Sequence, residues 1–117
     1  MAKVLFAWEL GAGWGHLLPW RGLVGCLRAA GHEVAFHARD AARAREAFGA
    51  LGVTIAEAPR GTRRVVIPSP NSFPEILLNS GYAEPGEVAS RIDHWLEVLA
   101  RERPAVLVAD YCPAAVL

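Results

Sequence analysis

KVLFAWELGAGWGHLLP, residues 3–19, decides the fold. Lys3 to Trp8 is a short apolar run, and Gly11, Gly13 and Gly15 close it off. Helical spacing then begins with Leu17, Trp20, Val24 and Leu27. An apolar run bounded by glycines reads as a buried strand, and the spacing after it as an amphipathic helix. That helix is expected from about His16 to Ala30, with Pro19 in its first turn and Gly31 as its stop.

The same unit repeats outward. Glu33 to Ala38 is expected as a second strand. Asp40 caps a second helix, with Ala44, Ala47, Phe48 and Leu51 on its inner face and Gly52 as its stop. Val53 to Ala56 is a short third strand. Glu57 to Phe73 then breaks the pattern with Pro59, Gly61, Pro68 and Pro70. A long irregular segment of this kind is a candidate binding surface, with a brief strand expected at Val65 to Ile67. A short helix is expected at Pro74 to Asn79. Gly86 to Arg103 reads as a longer one, with the stripe Val88, Ile92, Trp95, Leu96 and Leu99, ended by Pro104. Ala105 to Ala109 is a fourth strand that ends on Asp110.

This alternation predicts an α/β fold, a Rossmann-like parallel sheet with helices on both faces. Right-handed crossovers put the first strand in the centre, the second and third to one side and the Ala105 strand to the other. Ligands of open α/β sheets bind where the strand order reverses, beyond the carboxyl ends of the strands. That crevice lies between the first and fourth strands, and His16 and Asp110 both fall on it. The fourth strand is followed only by a short segment ending in the apolar run Ala114 to Leu117. We therefore expect the sheet to continue in a larger protein, or to pair through its exposed edge as a homo-oligomer.

Composition narrows the function. The 117 residues carry no net charge, and 53% are hydrophobic against 21% charged. That suffices for one domain with a core, and it argues against nucleic acid or an anionic membrane held by bulk electrostatics. No apolar run approaches the roughly 20 residues of a membrane span. No charged leader precedes a long apolar run, so no secretory signal is expected. Cys26 and Cys112 have neither disulfide-framework nor zinc-site spacing; no metal is expected, and they read as two buried free thiols in a reducing cytoplasm.

The glycine loop fails as a dinucleotide fingerprint, because the third glycine position falls on His16 or Leu18. Arg39, just after the second strand, could face a 2′-phosphate, which keeps an NADP oxidoreductase as a rival. No P-loop lysine follows. Gly11, Gly13 and Gly15 still allow close backbone approach to an anion such as a diphosphate at a helix start. A non-catalytic, flavodoxin-like anion-binding module is thus a second rival. His16 can act as a general base on a hydroxyl, and Asp110 can accept a hydrogen bond from its other ring nitrogen and fix the tautomer. Singly, His16 reads as a packing histidine and Asp110 as a helix cap; their convergence on one rim favours a dyad. Trp14 in the loop and His37 at the end of the second strand are candidates for touching a bound acceptor. His32 reads as a turn residue, His94 as lying on a solvated flank, Trp8 and Trp20 as core, and Arg63 and Arg64 as a solvated loop pair.

Gly15-His16-Leu17-Leu18-Pro19 after the glycine loop, the helix end Arg28-Ala-Ala-Gly31-His32-Glu33-Val34, and the late Val108-Ala109-Asp110-Tyr111 occur in one order. Together they resemble the opening of GT-B-fold glycosyltransferases of the UDP-glycosyltransferase superfamily, which includes macrolide and flavonoid glycosyltransferases. The resemblance implies that His16 is the base on an acceptor hydroxyl and Asp110 its partner. It implies inverting transfer of a sugar from a nucleoside-diphosphate sugar, UDP- or dTDP-linked, with no cofactor. It further implies that residues 1–117 are part of an N-terminal acceptor-binding domain for a small molecule. The nucleotide sugar is then held mainly by a C-terminal domain or a separate donor-binding chain, whose motif nothing in this sequence matches. Glu9 and Trp14 depart from the family's loop.

Overall fold

Alternate residues of the first strand feed two separate cores. In the computed structural model of the chain, which describes residues 1–61 and 65–117, β1 spans Lys3–Trp8 and β2 spans Glu33–Ala38. Val4, Phe6 and Trp8 join Val34, Phe36 and Ala38 in one core, while Leu5, Ala7 and Ala35 join the other. Side chains alternate along a strand, so a strand buried on both faces needs an unbroken apolar run. With β3 (Thr54–Glu57) and β4 (Val106–Asp110) the sheet is wholly parallel, in the order β3-β2-β1-β4. This is the expected order.

On the first face lie α1 (Arg21–Ala29) and α2 (Ala41–Phe48). The Phe36 ring stacks on Phe6 at 5.3 Å and on Phe48 at 4.9 Å. Asp40 caps α2 as expected, accepting the Arg43 backbone N–H at 3.0 Å. Next comes the short α3 (Phe73–Leu77), and α4 (Pro85–Glu102) covers the second face with Trp95 and Val98. At the amino end of the sheet Lys3 pairs with Glu33 at 3.0 Å and with Glu102 at 2.6 Å. The β4 strand forms a sheet edge, and Val106 on it is half exposed.

Some boundaries differ from the sequence reading. The first helix starts at Arg21 rather than near His16, after two 3-10 turns at Trp14–His16 and Leu18–Trp20. Leu17 has φ −122°, outside the helical region, and Pro19 has no N–H to give a longer helix. The third strand is shifted by one residue to Thr54–Glu57. No strand forms at Val65 to Ile67, because the Ile67 backbone pairs with the Asn79 side chain instead. The helix expected at Pro74 to Asn79 is α3 followed by a wider turn at Leu78–Tyr82. Leu96 is 59% exposed, because the inner face of α4 carries Arg91, Trp95 and Val98. His94 is half-buried, edge-on to Trp95, rather than solvated. Arg63 and Arg64 lie outside the described residues.

Among the described residues no helix is long and apolar enough to cross a membrane, and no three His, Cys, Asp or Glu side chains converge to hold a metal. Cys112 is buried as expected, and burial raises its thiol above its ordinary range, but Cys26, expected buried, is exposed on α1.

The packing of α4 makes a direct prediction. Trp95→Ala is expected to destabilise the chain by about 3–5 kcal/mol and Leu96→Ala by less than about 0.5 kcal/mol, as read by denaturant unfolding.

Candidate functional site

The register of β1 on β4 sets Trp8 beside Asp110. The pairing runs on past both strands, since the Leu10 N–H donates to the Tyr111 carbonyl at 3.0 Å. The glycine loop is thereby held over the carboxyl end of β4. There His16 and Asp110, 94 positions apart, meet with Nδ1 and Oδ2 3.2 Å apart. Trp20 Nε1–H donates to the same carboxylate oxygen at 3.1 Å. The imidazole lies between two rings, Trp8 at 5.1 Å and Tyr111 at 5.6 Å, both within 18° of parallel. Each partner keeps about a quarter of its side chain exposed, 24% for His16 and 28% for Asp110. An ionised carboxylate only accepts, so a neutral ring carries its proton on Nδ1 and leaves a lone pair on Nε2.

Gly11 makes room for that lone pair. Its φ is +85°, and a Cβ there would sit 2.6 Å from His16 Nε2 and 3.2 Å from Tyr111 Cδ1. Gly13 also has a left-handed φ of +87°, but a side chain there would meet open space. Gly15 has neither constraint. Of the three loop glycines, Gly11 is the one the dyad needs sterically.

On its other flank Gly11 lines a cavity of about 300 Å³ with Arg39, Pro70, Ile76, Asn79 and Arg91. A smaller hollow of about 180 Å³ adjoins it, lined by Gly11 and Gly13 with Arg39, Arg60 and the Arg43–Asp40 ion pair, whose atoms lie 3.6 Å apart. Both spaces are rich in guanidinium groups and suit an anion rather than a metal. Arg39 Nη1 donates to the Glu9 carbonyl at 3.2 Å. Burial, then the neighbouring charges of Arg60 and Arg91, lower its pKa from the ordinary value.

Beneath this floor lies a residue to which the sequence reading gave no role. Glu9 is fully buried, and its carboxylate accepts from Arg91 Nη1 at 3.1 Å, from Trp95 Nε1 at 2.7 Å and from the Tyr82 hydroxyl. Burial, then the hydrogen bond to Glu9, raises the Tyr82 phenol well above its usual range. The available signal was the four-residue spacing of Arg91 and Trp95, which puts a cation and an indole on one helix face.

The two expected acceptor contacts lie elsewhere. His37 is 3% exposed, under α4, with Nε2 3.6 Å from Glu102 Oε1, and does not reach the rim. Burial lowers its pKa, outweighing the upward pull of Glu102. Trp14 packs under the Arg43 guanidinium at 5.6 Å and lines a separate hollow with Leu18, Arg21 and Glu46. Trp20 does pack on the core as expected, and it also holds Asp110.

No family model matches the chain, and no curated protein does. Among solved structures the chain is similar to the crystal structure of CalG4, the calicheamicin glycosyltransferase, with a TM-score of 0.64 and 24% identity over 98% of this chain. The chain spans 28% of the length of that solved chain. The likeness is one of fold, a Rossmann-like α/β unit.

Two outcomes follow from this geometry. Gly11→Ala should displace the imidazole and shift the ring resonances of His16 in NMR spectra, whereas Gly13→Ala should leave them in place. His37 has a lowered pKa in the folded state, so the unfolded chain takes up the proton first as pH falls. Stability should therefore decline as pH drops through and below 6.5, and His37→Gln should flatten that slope in pH-dependent unfolding.

Proposed function

We propose that the chain is the acceptor-binding part of an inverting glycosyltransferase. It moves a sugar from a nucleoside-diphosphate sugar, UDP- or dTDP-linked, to a hydroxyl of a small molecule. The observation that carries this reading is the imidazole tied to Asp110 through Nδ1 with Nε2 kept clear by Gly11. The fold likeness to a glycosyltransferase supports it.

The acceptor hydroxyl donates to His16 Nε2. As its oxygen attacks the anomeric carbon, the ring takes the proton and the bond to the nucleoside diphosphate breaks on the opposite face. Configuration inverts in that single displacement. Asp110 stabilises the imidazolium formed, and the Trp8 and Tyr111 rings hold the ring plane. The loop at Gly11, Gly13 and Gly15 offers backbone to the donor's diphosphate, and Arg60 beside Gly11 and Gly13 adds positive charge, while Arg43 is paired with Asp40. The rest of the donor site belongs to a second domain or a separate chain. The open edge of β4 is where further sheet, or a second copy, would join.

One observation favours a second reading. The arginines around Gly11 and Gly13 would equally suit a non-catalytic module that binds an anion. Such a module would bind phosphate and have no need of His16.

The test is transfer by the chain joined to a donor-binding domain. His16→Ala should lower the transfer rate by roughly 10²–10⁴-fold. Asp110→Asn should also lower it, with the acceptor KM little changed. An unchanged rate in His16→Ala removes the base and leaves the anion module.

A further inference from the structure

The cavity behind Gly11 holds two arginines in different states. Arg91 is compensated: Glu9 accepts from it at 3.1 Å, the Ser80 carbonyl takes its other arm, and Glu87 lies beside it across Gly61. Arg39 is not. Its one hydrogen bond among the described residues is from Nη1 to a neutral carbonyl, that of Glu9. No carboxylate among the described residues lies within ion-pair distance of it. Arg60 adds to the excess, donating to the Arg39 carbonyl at 2.7 Å. A half-buried guanidinium facing a cavity among other cations is best satisfied by an oxyanion, which its planar fork can grip at two points.

The rest of the cavity indicates what carries that oxyanion. Pro70 and Ile76 give it an apolar wall, and its volume of about 300 Å³ is at the small end for organic ligands. Gly11 belongs to this wall and also faces His16 Nε2. A molecule anchored here therefore lies across Gly11 from the proposed base.

We propose that the cavity takes the carboxylate of a small hydroxy-acid acceptor, gripped by Arg39, with the acceptor's hydroxyl presented past Gly11 to His16. The hydroxyl half of this statement rests on the transferase reading above; the anion half rests on the cavity. The acceptor class is then an aromatic or similarly compact hydroxycarboxylic acid rather than a large neutral aglycone.

Isothermal titration of the full chain with 4-hydroxybenzoate and with 4-hydroxybenzamide isolates the carboxylate, because the two are nearly isosteric and only one is charged. The acid is expected to bind about tenfold or more tightly than the amide. Arg39→Gln is expected to abolish that preference, and Arg39→Lys to restore part of it. Equal binding of acid and amide by the unaltered chain overturns the proposal without recourse to any variant. A preference that survives in a folded Arg39→Gln chain overturns it as well. Binding of inorganic phosphate or UDP without any preference for the acid assigns the anion to the donor and also overturns it. The readout is binding rather than transfer, so the two readings fail separately. Loss of the acid preference leaves the base standing, and an unchanged transfer rate in His16→Ala leaves the Arg39 contact standing.

Discussion

Trp8 lies beside Asp110 in the pairing of β1 with β4, and the site follows from that register. The first strand delivers the loop that carries His16, and the fourth delivers the carboxylate that orients it. The Leu10 to Tyr111 hydrogen bond extends the pairing past both strand ends and fixes the loop's height over Asp110. Asp110 Oδ2 then serves two donors at once, the imidazole and the Trp20 indole. Trp20 also packs against Phe6 in the core at 5.7 Å. The carboxylate is thus tied to the interior through an aromatic side chain, which limits the orientations it can offer the imidazole. A one-residue slip between these strands would turn Asp110 to the other face of the sheet and take the dyad apart.

The loop also needs support from below, and a buried charge provides it. Glu9 directly follows β1 and is fully enclosed. A carboxylate in that position is strongly unfavourable unless it is paired and hydrogen-bonded. Arg91 pairs with it, and Trp95 and Tyr82 satisfy its remaining capacity. These donors come from α4 and from the turn before it, so the network ties the second face of the sheet to the start of the glycine loop. Replacing such a network by apolar residues need not destabilise the fold, whereas removing one partner leaves a charge buried alone. Its value lies in fixing where Arg91 and the backbone of Glu9 sit, and the carbonyl of Glu9 in turn holds Arg39.

Much of this was legible from residue pattern. Continuous apolar runs announced strands buried on both faces, and the strand order followed from crossover handedness. The meeting of His16 with Asp110 followed from that order. Two of the failures arise where tertiary partners override local signals. Leu96 fits the apolar stripe of α4, but Arg91 is drawn to Glu9 and rotates the buried face toward Trp95 and Val98. Val65 to Ile67 has strand composition, but the Asn79 side chain takes the Ile67 backbone groups that a neighbouring strand would need. His37 occupies the expected end of β2, yet side-chain alternation turns it under α4 and away from the rim. Arg39 stood out only as a possible phosphate contact. Its uncompensated charge is visible only once the surrounding carboxylates have been located.

The site therefore joins two kinds of support. The base and its partner hang on the central pairing of a parallel sheet, where any displacement disturbs both cores. The opposite wall of the cavity is held by side-chain clamps: Asn79 on the Ile67 backbone, Ser72 and Glu75 in a reciprocal cap of α3, and Arg91 on the Ser80 carbonyl. Gly81, at φ +93°, ends the turn at Leu78–Tyr82 and lets the chain enter α4. Among the described residues none of these clamps shares a hydrogen-bonding partner with His16, Trp20 or Asp110. Substitutions at Pro70 or Ile76 can accordingly reshape the space around a bound molecule with little effect on the dyad, and their energetic effects should add to those at His16. Gly11 is the exception, because it belongs to both halves. A side chain there would strike the imidazole and the Tyr111 ring, so a change at that residue reaches the base directly, whereas changes at Pro70 or Ile76 do not.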